Sequence, residues 1–111
     1  MYIELPARED GLIGFVSHAP KHPDLTLVEA CNLDSTLTER RFSSDPIDNT
    51  IIWYRGLTDP IKGKFQIFGH NSHWGLTRCG DWGICIDSSR SNVLTGIHWP
   101  SMEIFQQEYI D

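Results

Sequence analysis

The sequence predicts a strand-rich α+β domain with a mostly antiparallel sheet and one or two short helices. Short runs rich in β-branched and aromatic residues recur along the chain, among them Phe65 to Phe68 and Val93 to Trp99. Turn-forming residues punctuate these runs, most clearly Gly80-Asp81-Trp82-Gly83. One stretch, Asp24 to Arg41, has the apolar spacing of a helix instead. With 111 residues, 40% of them hydrophobic and 22% charged, the chain is long enough for one core and too short for two. Residues 1–111 therefore read as a single domain.

Met1 to Pro6 is strand-like from the start, Ala7 to Gly11 is a polar turn, and Leu12 to Val16 is a second apolar run, so a hairpin opens the protein. That second run ends in Ser17-His18-Ala19-Pro20. Pro20 and Pro23 each lack an amide donor and restrict the residue before them, which places His22 in a loop rather than one helical turn from His18. Leu25, Val28, Cys31, Leu33 and Leu37 then suit one or two short helices, with Asp24 or Asp34-Ser35 as N-caps. Phe42 to Thr50 is a polar loop containing Asp45-Pro46.

Ile51 to Arg55 is apolar and aromatic and ends in a cation. Its arginine reads either as the solvent-reaching end of a core segment or as a planar fork held to grip an oxyanion. Asp59-Pro60 breaks the chain before the run Phe65 to Phe68, which stops abruptly at Gly69-His70. A histidine at the exit of a buried strand is either a hydrogen-bonded turn residue or a ligand fixed on a rigid scaffold, with the glycine allowing a sharp turn. Gly75 to Cys79, Ile84 to Asp87, Val93 to Trp99 and Glu103 to Tyr109 complete the strands, and their short connections predict an antiparallel meander attached to the first hairpin.

A net charge of −6 with only nine basic residues argues against nucleic-acid binding, which needs a concentrated cationic surface. The sequence has no membrane-spanning stretch and no basic segment leading into an apolar core, so neither membrane insertion nor export is expected, and the cytoplasm is the default location. Cys31, Cys79 and Cys85 are too few and too irregular for a disulfide framework and read as reduced thiols. Four of the five histidines form two close pairs, His18/His22 and His70/His73.

Four segments together carry a family resemblance: Phe15 to Pro20 (FVSHAP), Ile51 to Arg55 (IIWYR), Phe65 to Asn71 (FQIFGHN) and Ile84 to Ile97 (ICIDSSRSNVLTGI). In order and approximate spacing they resemble the C-terminal half of bacterial and phage-type phosphoprotein phosphatases, a branch of the calcineurin-like metallophosphoesterases. The resemblance spans Leu5 to about Trp99. It implies half of an αββα sandwich, with His18 and His70 as ligands of one metal ion (manganese, iron or zinc) and Arg55 as a phosphate ligand. Imidazoles suit those metals, and a two-metal site activates water for attack on phosphorus.

The sequence departs from the family pattern where Gly-His-Thr-Pro becomes Gly69-His70-Asn71-Ser72 and Ile-Asp-Thr-Gly becomes Ile86-Asp87-Ser88-Ser89. Asn71 can still hydrogen-bond and keep His70 in orientation, whereas a serine at position 89 would be strained if that position needs a positive φ. The family's Asp-x-His, Gly-Asp-x-x-Asp-Arg and Asn-His-Glu motifs do not occur. The expectation is therefore a truncated metallophosphoesterase with no catalytic residue of its own and inactive alone. It would meet a phosphorylated substrate only when completed by another chain, as a homo-oligomer or beside a complementing N-terminal half. Two alternatives stand: an interaction module using Trp53, Trp74, Trp82 and Trp99, or a small metal-binding protein using His18, His70 and His73 across a dimer interface.

Overall fold

The computed structural model describes residues 2–31, 50–51 and 54–109. Strands form where the alternating and apolar runs lie: β1 (Tyr2–Leu5), β2 (Ile13–Ser17), β3 (Lys64–Phe68), β4 (Thr77–Cys79), β5 (Gly83–Cys85), β6 (Val93–His98) and β7 (Glu103–Glu108). A single short α-helix, α1 (Leu27–Cys31), is present among the described residues. The molecule is a small strand-rich domain.

The cap of helix α1 falls two residues later than the expected Asp24. Thr26 caps it instead: the Glu29 amide donates to Thr26 Oγ1, and the Thr26 amide donates back to Glu29 Oε1, each at 3.2 Å. This reciprocal pair satisfies two amides that the first helical turn cannot. The alternative start at Asp34-Ser35 lies outside the described residues.

Five strands make one sheet in the order β1-β2-β3-β5-β4, and β6 pairs with β7 in a separate two-stranded sheet. The expected continuous meander is thus replaced by a mixed sheet and a hairpin. Strands joined by short connections do pair antiparallel, β1 with β2, β4 with β5 and β6 with β7. The centre is parallel: Ile13 aligns with Lys64 across β2 and β3, and Gln66 aligns with Gly83 across β3 and β5. In β3 every residue from Phe65 to Phe68 is buried, the condition of a strand covered on both faces. The long segment between β2 and β3 supplies the crossover that parallel pairing requires.

On one face Phe65, Ile67 and Ile84 are packed against Leu5, Val16, Ile97, Trp99 and Ile104, so the β6–β7 hairpin covers the sheet. Trp99 Nε1 donates to the Pro6 carbonyl at 2.6 Å, and the Arg8 guanidinium lies 5.4 Å from the ring centres of both Phe65 and Trp99. On the other face Phe15 and Phe68 are fully buried, Tyr2 stacks on Phe15, and Trp74 meets Phe68 edge-on. A smaller cluster of Leu25, Ala30 and Ile51 is stitched by main-chain bonds from the Ile51 amide to Ala30 and from the Ala19 amide to Ile51.

Ser88 turns the chain from the sheet into the hairpin. Its hydroxyl donates to the Val93 carbonyl at 2.6 Å and accepts from the Thr95 hydroxyl 2.5 Å away, which in turn accepts from Gln106 Nε2. Ser89 opens a 3-10 turn, and the left-handed residue of this connection is Asn92, with φ 54°. The strain expected at Ser89 therefore does not arise. Among the described residues no helix is long and apolar enough to cross a membrane.

Candidate functional site

Parallel pairing puts the exits of β2 and β3 side by side, and those exits carry the two strand-end histidines. The Gly69 amide donates to the His18 carbonyl at 2.9 Å, extending the pairing one step beyond the strands. The sharp turn then falls on His70 itself, with φ 67°, while Gly69 has no positive φ. Histidine is one of the residues that tolerates this left-handed region, though at a cost glycine does not carry. The turn swings the His70 ring back toward β2.

The two imidazoles meet as a result. His18 Nε2 lies 2.8 Å from His70 Nδ1, with the ring centres 4.6 Å apart. Arg55 arrives from the segment after Ile51, and its Nε donates to His70 Nε2 at 3.2 Å. The three residues singled out in the sequence are therefore in contact, joined through His70. Arg55 and His18 are exposed and His70 is partly buried, so the cluster lies open on the surface.

With both imidazoles neutral, the bonding order fixes where their protons sit. The guanidinium only donates, so His70 Nε2 must accept, and the ring proton sits on Nδ1 and points at His18 Nε2. An ion could use the His70 Nδ1 lone pair only after that proton leaves or moves to Nε2, and in the second case Arg55 loses its acceptor. The 2.8 Å between the two nitrogens is the length of a hydrogen bond, so an ion held by both would take the place of that bond. Two imidazoles beside a guanidinium are a sparse and electropositive donor set. Among the described residues no group of three histidine, cysteine or carboxylate side chains gathers to hold a metal.

The neighbouring strand exit, that of β5, leads to Asp87. This residue lies beside Gly69, since a Cβ built on that glycine would be 3.5 Å from Asp87 Cβ. Its carboxylate accepts instead from the Ser89 amide and hydroxyl, at 3.2 and 2.6 Å. His73 is engaged by Arg90. His22 is packed on the Tyr54 ring at 4.6 Å, its Nδ1 accepts from the Asp24 amide, and burial pulls its pKa below the usual histidine value.

Asn71 was expected to orient His70 and does something else. Buried directly after it, Asn71 donates from Nδ2 to the Arg55 carbonyl at 2.6 Å. Lys21, unremarkable in the sequence, is also buried, and its ammonium lies 2.9 Å from Asp59 Oδ1. Burial was the missing signal in both cases, because neither lies in an apolar pattern.

Of the four tryptophans considered as a contact surface, Trp53 lies outside the described residues, and Trp74, Trp82 and Trp99 are half-buried. The exposed large aromatics among the described residues are Tyr2, Phe105 and Tyr109. Cys31, Cys79 and Cys85 are free, and burial raises the pKa of each thiol. Two open depressions, one lined by residues such as Arg8 and Met102 and the other by residues such as Leu94 and Phe105, do not include the cluster. The chain matches no protein-family model, no curated protein and no solved structure.

Proposed function

We propose that the chain carries part of a metal-dependent phosphomonoesterase site of the metallophosphoesterase type, with His18 and His70 as ligands of one divalent ion and Arg55 as the phosphate ligand. The observation that supports it is the convergence of these three side chains, 2.8 Å from His18 Nε2 to His70 Nδ1 and 3.2 Å from Arg55 Nε to His70 Nε2. A bound manganese, iron or zinc ion would supply Lewis acidity and an activated water. In this reading His18 and His70 give neutral imidazole donors, and Arg55 neutralises charge on the phosphoryl oxygens.

Two imidazoles leave the ion short of ligands, so the remaining donors and the acid-base groups come from a complementing segment or chain, and the described residues alone do not turn over substrate. Free thiols suit a reducing compartment such as the cytoplasm.

Calorimetric titration with zinc and with manganese tests the ligand assignment. One weakly bound ion per chain is expected, lost in His70→Ala and in His18→Ala. Hydrolysis of p-nitrophenyl phosphate with added manganese is expected to stay at the level of the His70→Ala control; turnover at ordinary phosphatase rates by the chain alone sinks the half-site reading. A second reading, an interaction module without catalysis, draws on Leu94 and Phe105, 63% and 54% exposed on the outer face of the β6–β7 hairpin.

A further inference from the structure

Tyr54 to Asp59 carries Arg55 but forms neither strand nor helix. Side chains reaching in from both flanks hold it. At its far end Thr58 Oγ1 donates to the Lys21 carbonyl at 2.6 Å, and Gln66 Nε2 from β3 donates to the Asp59 carbonyl at 2.6 Å. The Lys21 ammonium joins the Asp59 carboxylate to the carbonyls of His22 and Leu25, at 2.9 and 2.8 Å. In the middle, the Tyr54 hydroxyl folds back to donate to the Leu57 carbonyl at 2.6 Å. A Cβ on Gly56 would collide with that hydroxyl, so the fold-back needs glycine there.

At Arg55 the restraint is Asn71. Its Nδ2 donates to the Arg55 carbonyl at 2.6 Å from a site 6% exposed, and Cys85 Sγ donates weakly to the Asn71 carbonyl at 3.9 Å, tying the same residue to β5. Asn71 follows His70 in the chain, so one short turn presents the imidazole and grips the segment that brings the guanidinium to it. A buried amide donor left without an acceptor is costly, which makes the grip hard to release.

We propose that Asn71 is a positioning residue that sets Arg55 against His70, with Lys21 anchoring the far end of the same strap. The functional weight of this placement rests on reading Arg55 as the oxyanion-contacting group. The placement itself does not, and the two are separable by experiment.

The full-length chain, isotopically labelled and free of metal and phosphate, is observed by NMR at the Arg55 Nε–Hε group and at the Asn71 side-chain amide. In the wild type, a scalar coupling across the hydrogen bond is expected from Asn71 Nδ2 to the Arg55 carbonyl carbon. In Asn71→Ala, solvent exchange of Arg55 Nε–Hε is expected to rise about tenfold or more while the amides of Lys64 to Phe68 stay protected, the loss being one hydrogen bond and not the sheet. Unchanged Arg55 exchange in a folded Asn71→Ala overturns the proposal. Absence of the coupling in the wild type overturns it too, even if the variant fails to fold. Titration with zinc and orthophosphate then follows the same Arg55 signal. A wild-type signal that ignores phosphate, with exchange still released by Asn71→Ala, keeps the positioning role and removes the phosphate reading.

Discussion

The β6–β7 hairpin and the exits of β2 and β3 are built on opposite plans. The hairpin is an unbroken ladder from Val93 opposite Glu108 to His98 opposite Glu103, one face on the core and the other bare to solvent. At the strand exits the ladder stops, and single side-chain bonds take over: Asn71 to Arg55, Thr58 to Lys21, Arg55 to His70. A ladder distributes its load over many equivalent bonds. A cluster of three functional groups from distant segments cannot be built that way, so each group depends on one or two specific partners and single substitutions can dismantle it.

The largest contrast is expected between core and hairpin surface. Ile84→Ala, at a fully buried site, should lower unfolding free energy in urea by about 3 kcal/mol through lost transfer and a residual cavity. Leu94→Ala, at an exposed site, should change it by less than about 0.5 kcal/mol. A Leu94→Ala cost near the Ile84→Ala value would mean that the hairpin's outer face is covered by another copy in solution, and sedimentation would show it.

A smaller effect separates two substitutions at His70. Glycine accepts φ 67° freely and alanine does not, so His70→Gly should be more stable than His70→Ala by about 1 kcal/mol. Both should lose the zinc signal equally. Equal stability of the two variants would show that the turn relaxes when the imidazole is gone.

The smallest effect is a pH dependence. Burial lowers the His22 pKa, so the unfolded chain takes up its proton first, near the ordinary value of about 6.5, and stability falls as pH drops through the lower folded value. Burial raises the pKa values of Cys31, Cys79 and Cys85; their contribution is full below the ordinary thiol value of about 8.5 and is lost as pH rises through the folded values. Melting temperature measured across pH should plateau between these limits. A His22→Asn variant, which removes the titrating ring, should shift only the acid side.

The seven strands among the described residues were legible in the sequence to within a residue or two, because alternation and turn residues are local properties. Pairing was not. β2 with β3 is a choice between segments far apart, and its sequence signal was the lack of alternation in Phe65 to Phe68, where each side chain is buried. For the site, the chain pointed to three residues that the structure brings into contact, and misread how they are held. Gly69 looked like the hinge, yet His70 carries the left-handed turn. Asn71 looked like a partner for His70, yet its amide reaches across to Arg55. Such roles depend on what stands opposite a side chain in space, which no local pattern encodes.

The separation of 52 residues between His18 and His70 also has a kinetic side. Neither the β1–β2 hairpin nor the β4–β5 hairpin contains the cluster, so it assembles only when β3 docks against β2 and a long loop closes, among the slower events in folding a small domain. Arg55 lies inside that same loop. A partly folded chain therefore displays strands but no His–Arg cluster, and the site matures last, together with the cooperative fold.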